Sequence, residues 1–284
     1  MKRFNLMKVD DADAGHVDLE LYFFTEVLKL KSLHYGYWIE NQERTLANLA
    51  TAQANYTRTL IEMIPEGVQK ILDVGCGAGD NSRSMAAAGY VVTAISPDAE
   101  HGKFVQDTPG VDFVRTKIES FETDKKFDLI LMSECQNYFD RDLALAKCVE
   151  VLEPGGHLLI SGMFRRSNTE DFDDTYVGSE YIVAAENVGM ELLEQVDITD
   201  ETVPTLEMAR NAYQDHLLPA AELVSHYVNN TARWKMMLVR AFFGNQLRRL
   251  SGIGEFIERR VDTERFVKFV SYQRLLFQKT DSIP

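Results

Sequence analysis

From Asp18 to about Ile64 apolar residues return at helical spacing, first in LELYFFTEVLKL and then in RTLANLATAQANYTRTLIEMI. An aromatic break, LHYGYW at 33–38, separates the two runs, so the period predicts two helices joined at an aromatic elbow. From Lys70 the pattern changes to short apolar runs: KILDVG (70–75), YVVTAIS (90–96), VDFVRT, FDLILMS and HLLISGM. Helix-length stretches such as NSRSMAAAG (81–89) lie between them. Short apolar strands alternating with helices imply βαβ units and a mostly parallel sheet covered on both faces. EYIVAAENVGMELLEQVDIT (180–199) adds a helix and a strand, and FVSYQRLLFQK (269–279) adds a last, seventh strand. The residues between them read as helical. They form an insertion between the last two strands, over the sheet ends where ligands of open α/β folds bind.

The expected architecture is therefore a Rossmann-like, doubly wound α/β sheet of seven mostly parallel strands with N-terminal helices and a helical cap. Its parts are an N-terminal helical segment (1–66), a core (67–200 and 266–284) and the cap (201–265). At 284 residues, 45% of them hydrophobic, the chain can bury one sizeable core with an inserted subdomain. A net charge of −14 argues against nonspecific nucleic-acid binding, which needs clustered cations to neutralise phosphates. One local exception exists: between Thr231 and Arg260 seven basic residues face only Glu255 and Glu258. Its centre, RWKMMLVRAFFGNQLRRL (233–250), reads as a cap helix packed on the core or as a surface for peripheral contact with an anionic, apolar partner.

Three cysteines (Cys76, Cys135, Cys148) without CxxC spacing suggest neither disulfides nor a zinc site. Six histidines without HxxxH or HExxH spacing point to no metal. The start turns acidic before any apolar run, and no stretch of eighteen apolar residues occurs. The expectation is a cytoplasmic protein without a signal peptide or membrane span, its oligomeric state open.

The chemistry concentrates in ILDVGCGAGDN (71–81). No Lys follows Gly79, so a P-loop is excluded, and Gly75, Gly77 and Gly79 are spaced GxGxG where a dinucleotide fingerprint needs GxGxxG. Glycines here allow a sharp strand-to-helix turn and close approach of a ligand to the backbone. Asp73 at the strand end suits a cationic ligand and repels a pyrophosphate. S-adenosylmethionine, with its ammonium and sulfonium, is such a ligand.

ILDVGCGAG, FDLILMSECQNYFD and VLEPGGHLLISGMF, in this order and spacing, resemble the class I S-adenosylmethionine-dependent methyltransferases. With LHYGYW and SECQNY the chain looks like the small-molecule group of cyclopropane fatty acid synthases, sterol methyltransferases and sugar O-methyltransferases. The resemblance implies that Asp73, Gly75, Cys76 (through its backbone), Gly77 and Gly79 surround the methionine part of the cofactor. Tyr35 and Tyr37 close over it. Ser96, with Pro97, serves the ribose after the second strand, or Asp98 does so in its place. Lys117 stands where many relatives have Asp, which leaves Ile118 and Glu119 for the adenine, and Ser133 completes the set. Glu134 and Tyr138 face the reaction centre, and His216 or His226 in the cap could take up a substrate proton.

The expected function is methylation of a small or medium-sized, partly apolar acceptor, a lipid, isoprenoid or secondary metabolite, under the cap. Two other readings stay open. A non-catalytic regulator would bind the cofactor without turnover, and an NAD-dependent oxidoreductase would bind nicotinamide cofactor instead.

Overall fold

The computed structural model describes residues 32–220, 223, 226, 227 and 262–280. Helix α1 (Leu46–Ile61) leads into β1 (Lys70–Val74), α2 (Asp80–Ala87), β2 (Val91–Ser96), α3 (Ala99–Val105) and β3 (Val111–Arg115). A 3-10 turn (Ile118–Ser120), β4 (Phe127–Ser133), α4 (Arg141–Val151), β5 (Leu152–Arg165), α5 (Gly178–Asn187) and β6 (Met190–Asp197) follow. Helix α6 (Thr199–Ala212) runs into a π-turn (Tyr213–Leu217), and α7 (Thr263–Phe269) precedes β7 (Val270–Lys279).

The seven strands lie in the order β3-β2-β1-β4-β5-β7-β6. Strands β1 to β5 pair in parallel, while β7 runs antiparallel between β5 and β6. β1 and β4 are nearly continuous apolar runs because helices cover both faces. On one face Ala144, Leu145 and Cys148 of α4 and Tyr181 of α5 pack on β4 and β5. On the other, Tyr56 and Leu60 of α1, Met85 of α2 and Val105 of α3 pack on β1, β2 and β7. Strand order reverses between β1 and β4, and the crevice at their carboxyl ends is where such folds bind ligands.

Several expectations need adjustment. The predicted helix before residue 32 and the basic stretch 233–250 lie outside the described residues, as does most of 201–265. Residues 32–38 are themselves not helical. They run extended, with Ser32, His34, Gly36 and Trp38 buried while Leu33, Tyr35 and Tyr37 are half-buried on the other side. The cap boundary at 201 falls inside α6, and the return at 266 falls inside α7. The fifth strand is longer than HLLISGM, reaching from Leu152 to Arg165 because β4 and β7 pair along it on either side.

Candidate functional site

The turn after β1 is built on left-handed backbone, with φ of 70° at Gly75, 52° at Gly77 and 75° at Gly79. A Cβ on Gly79 would lie 2.2 Å from Val105 Cγ1, and one on Gly75 would lie 2.7 Å from Cys135 Cβ. Gly77 instead has only Leu33 Cδ1 nearby, at 3.6 Å. The first and third glycines are thus fixed by packing, and the middle one leaves an open approach to the backbone. Gly75 and Cys76 both donate their N–H to the Ile95 carbonyl, at 2.9 and 3.3 Å.

Asp73, 1% exposed, accepts a hydrogen bond from the Ser82 hydroxyl of α2. Burial pushes its carboxyl up to about 6, and among the described residues no cation pairs with it. A buried carboxylate without a counter-cation fits a positively charged ligand.

At the β2 end Ser96 is buried, its Oγ 2.8 Å from His101 Nδ1 and accepting the Asp98 N–H at 3.2 Å. The Pro97 carbonyl accepts from Arg115 Nε at 3.1 Å. Asp98 caps α3: its Oδ1 accepts the Glu100 N–H at 2.8 Å, so helix capping holds that carboxylate where it stands. At the β3 end Ile118 is buried and opens the 3-10 turn. Glu119 Oε1 accepts the Asp140 N–H at 3.4 Å, while its enclosed Oε2 has no partner among the described residues. An enclosed acceptor of this kind suits a ligand donor such as an exocyclic amine.

Residues 32–38 cross the strand ends as a strap. Gln53 of α1 donates through Nε2 to the carbonyls of Ser32 (3.1 Å) and His34 (2.8 Å). Gly36 N and Trp38 Nε1 both donate to Thr205 Oγ1 of α6, and a Cβ on Gly36 would lie 2.6 Å from that of Ala52. Ser32 Oγ donates to Asp80 Oδ2 at 2.6 Å, and the His34 ring stacks on Tyr56 with centroids 4.3 Å apart.

Beneath the strap, directly after β4, Glu134 adopts φ 58°, a left-handed conformation that non-glycine residues hold only against strain. Its N–H donates to the Ser161 carbonyl at 2.7 Å. Oε1 accepts two hydrogen bonds, from Tyr35 N at 2.8 Å and from the Tyr272 hydroxyl of β7. Oε2 accepts none among the described residues. Burial raises the Glu134 carboxyl, opposed by the His34 charge and by the bonds from Tyr272 and Tyr35. Next to it Tyr35, Met163, Phe172, Val203, Leu206, Phe266 and Val270 form an apolar cluster.

Ser133 Oγ is 3.1 Å from the Tyr56 hydroxyl. Tyr37 lies over the guanidinium of buried Arg274, with Arg274 Cζ 5.6 Å from the ring centre. The strap and strand ends thus gather Tyr35, Tyr37, Ser133 and Glu134. Tyr138 is 66% exposed on the turn beyond, and the hydroxyl bonded to Glu134 belongs to Tyr272 instead. His216 is exposed in the π-turn and His226 is exposed in the cap; neither makes a hydrogen bond or ion pair with Glu134 among the described residues. The three cysteines are buried, and burial pushes their thiols up, which suits packing and not nucleophilic chemistry.

Sequence reading alone did not single out Tyr56, Tyr272 or Arg274. An arginine amid YQRLLF, in a strand rich in aromatic and branched residues, is the one signal that pointed there. Among the described residues no His, Cys, Asp and Glu cluster could hold a metal, and no helix is long and apolar enough to cross a membrane.

A family model described as a methyltransferase domain matches residues 72–160. The chain is 29% identical over 167 residues to a ubiquinone biosynthesis O-methyltransferase of Saccharophagus degradans, covering 56% of this chain and 69% of that one. It is 27% identical over 214 residues to methyltransferase GfsG of Streptomyces halstedii, covering 66% and 76%. Among solved structures, geranyl diphosphate C-methyltransferase from Streptomyces coelicolor A3(2) aligns with a TM-score of 0.65 at 15% identity, covering 94% of each chain. The [4+2]-cyclase SpnF aligns with a TM-score of 0.64 at 19% identity, covering 93% and 95%. The domain match spans the glycine turn after β1, β4 and most of β5, so residues 72–160 form a methyltransferase domain; the chain shares the fold of these solved structures, and S-adenosylmethionine is its cofactor.

Proposed function

We propose that the protein methylates a small or medium-sized, partly apolar acceptor of the lipid, isoprenoid or secondary-metabolite class, on a hydroxyl group. The observation that carries this reading is Glu134: strained, half-buried beside the apolar cluster, with one carboxylate oxygen accepting two hydrogen bonds and the other accepting none among the described residues. The relatives named for O-methylation support an oxygen acceptor.

In this reading Asp73, the Gly75–Gly79 turn and the Cys76 backbone hold the methionine part of S-adenosylmethionine. Ser96 and Pro97 receive the ribose, with Asp98 fixed as a helix cap beside them. Ile118 and Glu119 read the adenine, while Tyr35, Tyr37 and Ser133 close the site. The bound cofactor supplies an electrophilic methyl carried on a sulfonium. The chain's own work is to line up the acceptor oxygen, exclude water with the strap and cluster, and receive the hydroxyl proton on Glu134 Oε2.

Incubation with methyl-labelled S-adenosylmethionine and an extract of the native cells, followed by partition into organic solvent, tests this. Label is expected in the organic phase. Label confined to the aqueous phase would replace the apolar acceptor with a polar metabolite. Absence of transfer, with cofactor binding intact, would favour a regulator.

A further inference from the structure

We propose that Tyr272 is a positioning residue for methyl transfer, holding Glu134 so that Oε2 alone addresses the acceptor. The inference rests on the reading of Glu134 given above. Strand β7 places Tyr272 opposite Met163 of β5, and the peptide after β4 is tied to the same strand through Glu134 N and the Ser161 carbonyl. Residues far apart in sequence are therefore held in one fixed frame by the sheet.

Hydrogen accounting then sets directions. An ionised carboxylate has no hydrogen, so the Tyr272 hydroxyl donates to Oε1. The Tyr272 oxygen lies 3.0 Å from the Tyr56 hydroxyl, which in turn lies 2.7 Å from Ser161 Oγ. Both tyrosines are fully buried, so water does not compete for these bonds. Burial and the nearby Glu134 carboxylate hold the Tyr272 phenol well above its ordinary range, so it stays a donor at any working pH. With the Tyr35 N–H arriving at the same oxygen from the strap, two donors from separate elements fix the carboxylate plane. Among the described residues both donors meet at Oε1 and none at Oε2.

The charged and titratable groups around Glu134 are His34 on the strap, Tyr56 on α1, and Tyr272 and Arg274 on β7. A base must be ionised to accept a proton, so activity falls as pH drops through the Glu134 pKa. Removing the Tyr272 donor destabilises the ionised form and moves that acid limb to higher pH.

The test compares wild type, Tyr272→Phe and Glu134→Gln, using methyl-labelled S-adenosylmethionine and the organic-soluble pool extracted from native cells. Tyr272→Phe is expected to lower kcat about 10- to 100-fold. The apparent KM for the pool and the cofactor Kd should stay within about threefold, and the acid limb should move up. An unchanged rate and acid limb in Tyr272→Phe, with Glu134→Gln inactive, would overturn the positioning role and leave the Glu134 reading intact. Full activity in Glu134→Gln would overturn that reading itself. Should Tyr272→Phe fail to fold, 3-fluorotyrosine at position 272 decides. Its more acidic phenol donates more strongly, so the acid limb is expected to move to lower pH, and an unmoved limb would overturn the proposal.

Discussion

Replacing Glu134 with glutamine is expected to cut methyl transfer by on the order of 10²- to 10⁴-fold, the range that a positioned general base contributes. Glutamine keeps the size of the side chain and can still accept from Tyr35 N–H and the Tyr272 hydroxyl, so the strap stays seated. What it loses is the capacity to take a proton. Cofactor affinity should therefore change only a few-fold, because the change falls on kcat and not on the glycine turn. The direction with pH follows from the environment: burial raises the wild-type carboxyl, so its acid limb should lie above that of an ordinary glutamate. The residual activity of the glutamine variant should lack that limb. Rates across pH at saturating S-adenosylmethionine check both points.

Replacing Asp73 with asparagine should move stability and binding in opposite directions. The folded carboxyl sits near 6, against an ordinary value of 3.8. The native state thus holds its proton more tightly than the unfolded chain. Its stability contribution is fully present below the unfolded value and is lost as pH rises through about 6. A shift of about two units corresponds to roughly 3 kcal/mol, so the ligand-free asparagine variant should be more stable than wild type at pH 7.5 by up to about that amount. Near pH 4 the two should converge. Ser82 can still donate to the amide oxygen, which keeps the local geometry. The price appears in function: without the negative charge, S-adenosylmethionine should bind at least about tenfold more weakly, since one charge-assisted contact is lost. Denaturant unfolding at pH 4.5 and 7.5, with and without cofactor, checks the reversal.

How much of this was legible in the sequence can be judged residue by residue. Alternation of short apolar runs and helices announces a doubly wound sheet, because strands buried on both faces must be apolar throughout. Three glycines in GCGAG announce the turn, and all three indeed hold positive φ. The site of Glu134 was visible as a carboxylate directly after an apolar strand. Its left-handed backbone was not, since no local signal marks strain in glutamate.

Strand order was beyond reach, and with it Tyr272: the contact joins residues 138 positions apart and exists only because β7 inserts beside β5. Two local details also had signals in the sequence. Leu33, Tyr35 and Tyr37 alternate with His34, Gly36 and Trp38, a period of two that marks an extended strap better than an elbow. Asp98 followed by AEH is a helix cap before it is a ribose ligand. The cap histidines carried no signal beyond residue type, and both are exposed.

The most direct measurement is a calorimetric titration of the purified protein with S-adenosylmethionine at pH 7.5, repeated on Asp73→Asn and repeated with NAD. Saturable one-to-one binding of S-adenosylmethionine, at least about tenfold weaker in the variant and absent for NAD, is the expected result. Saturable NAD binding, or S-adenosylmethionine binding that is indifferent to Asp73, would contradict the cofactor site described above.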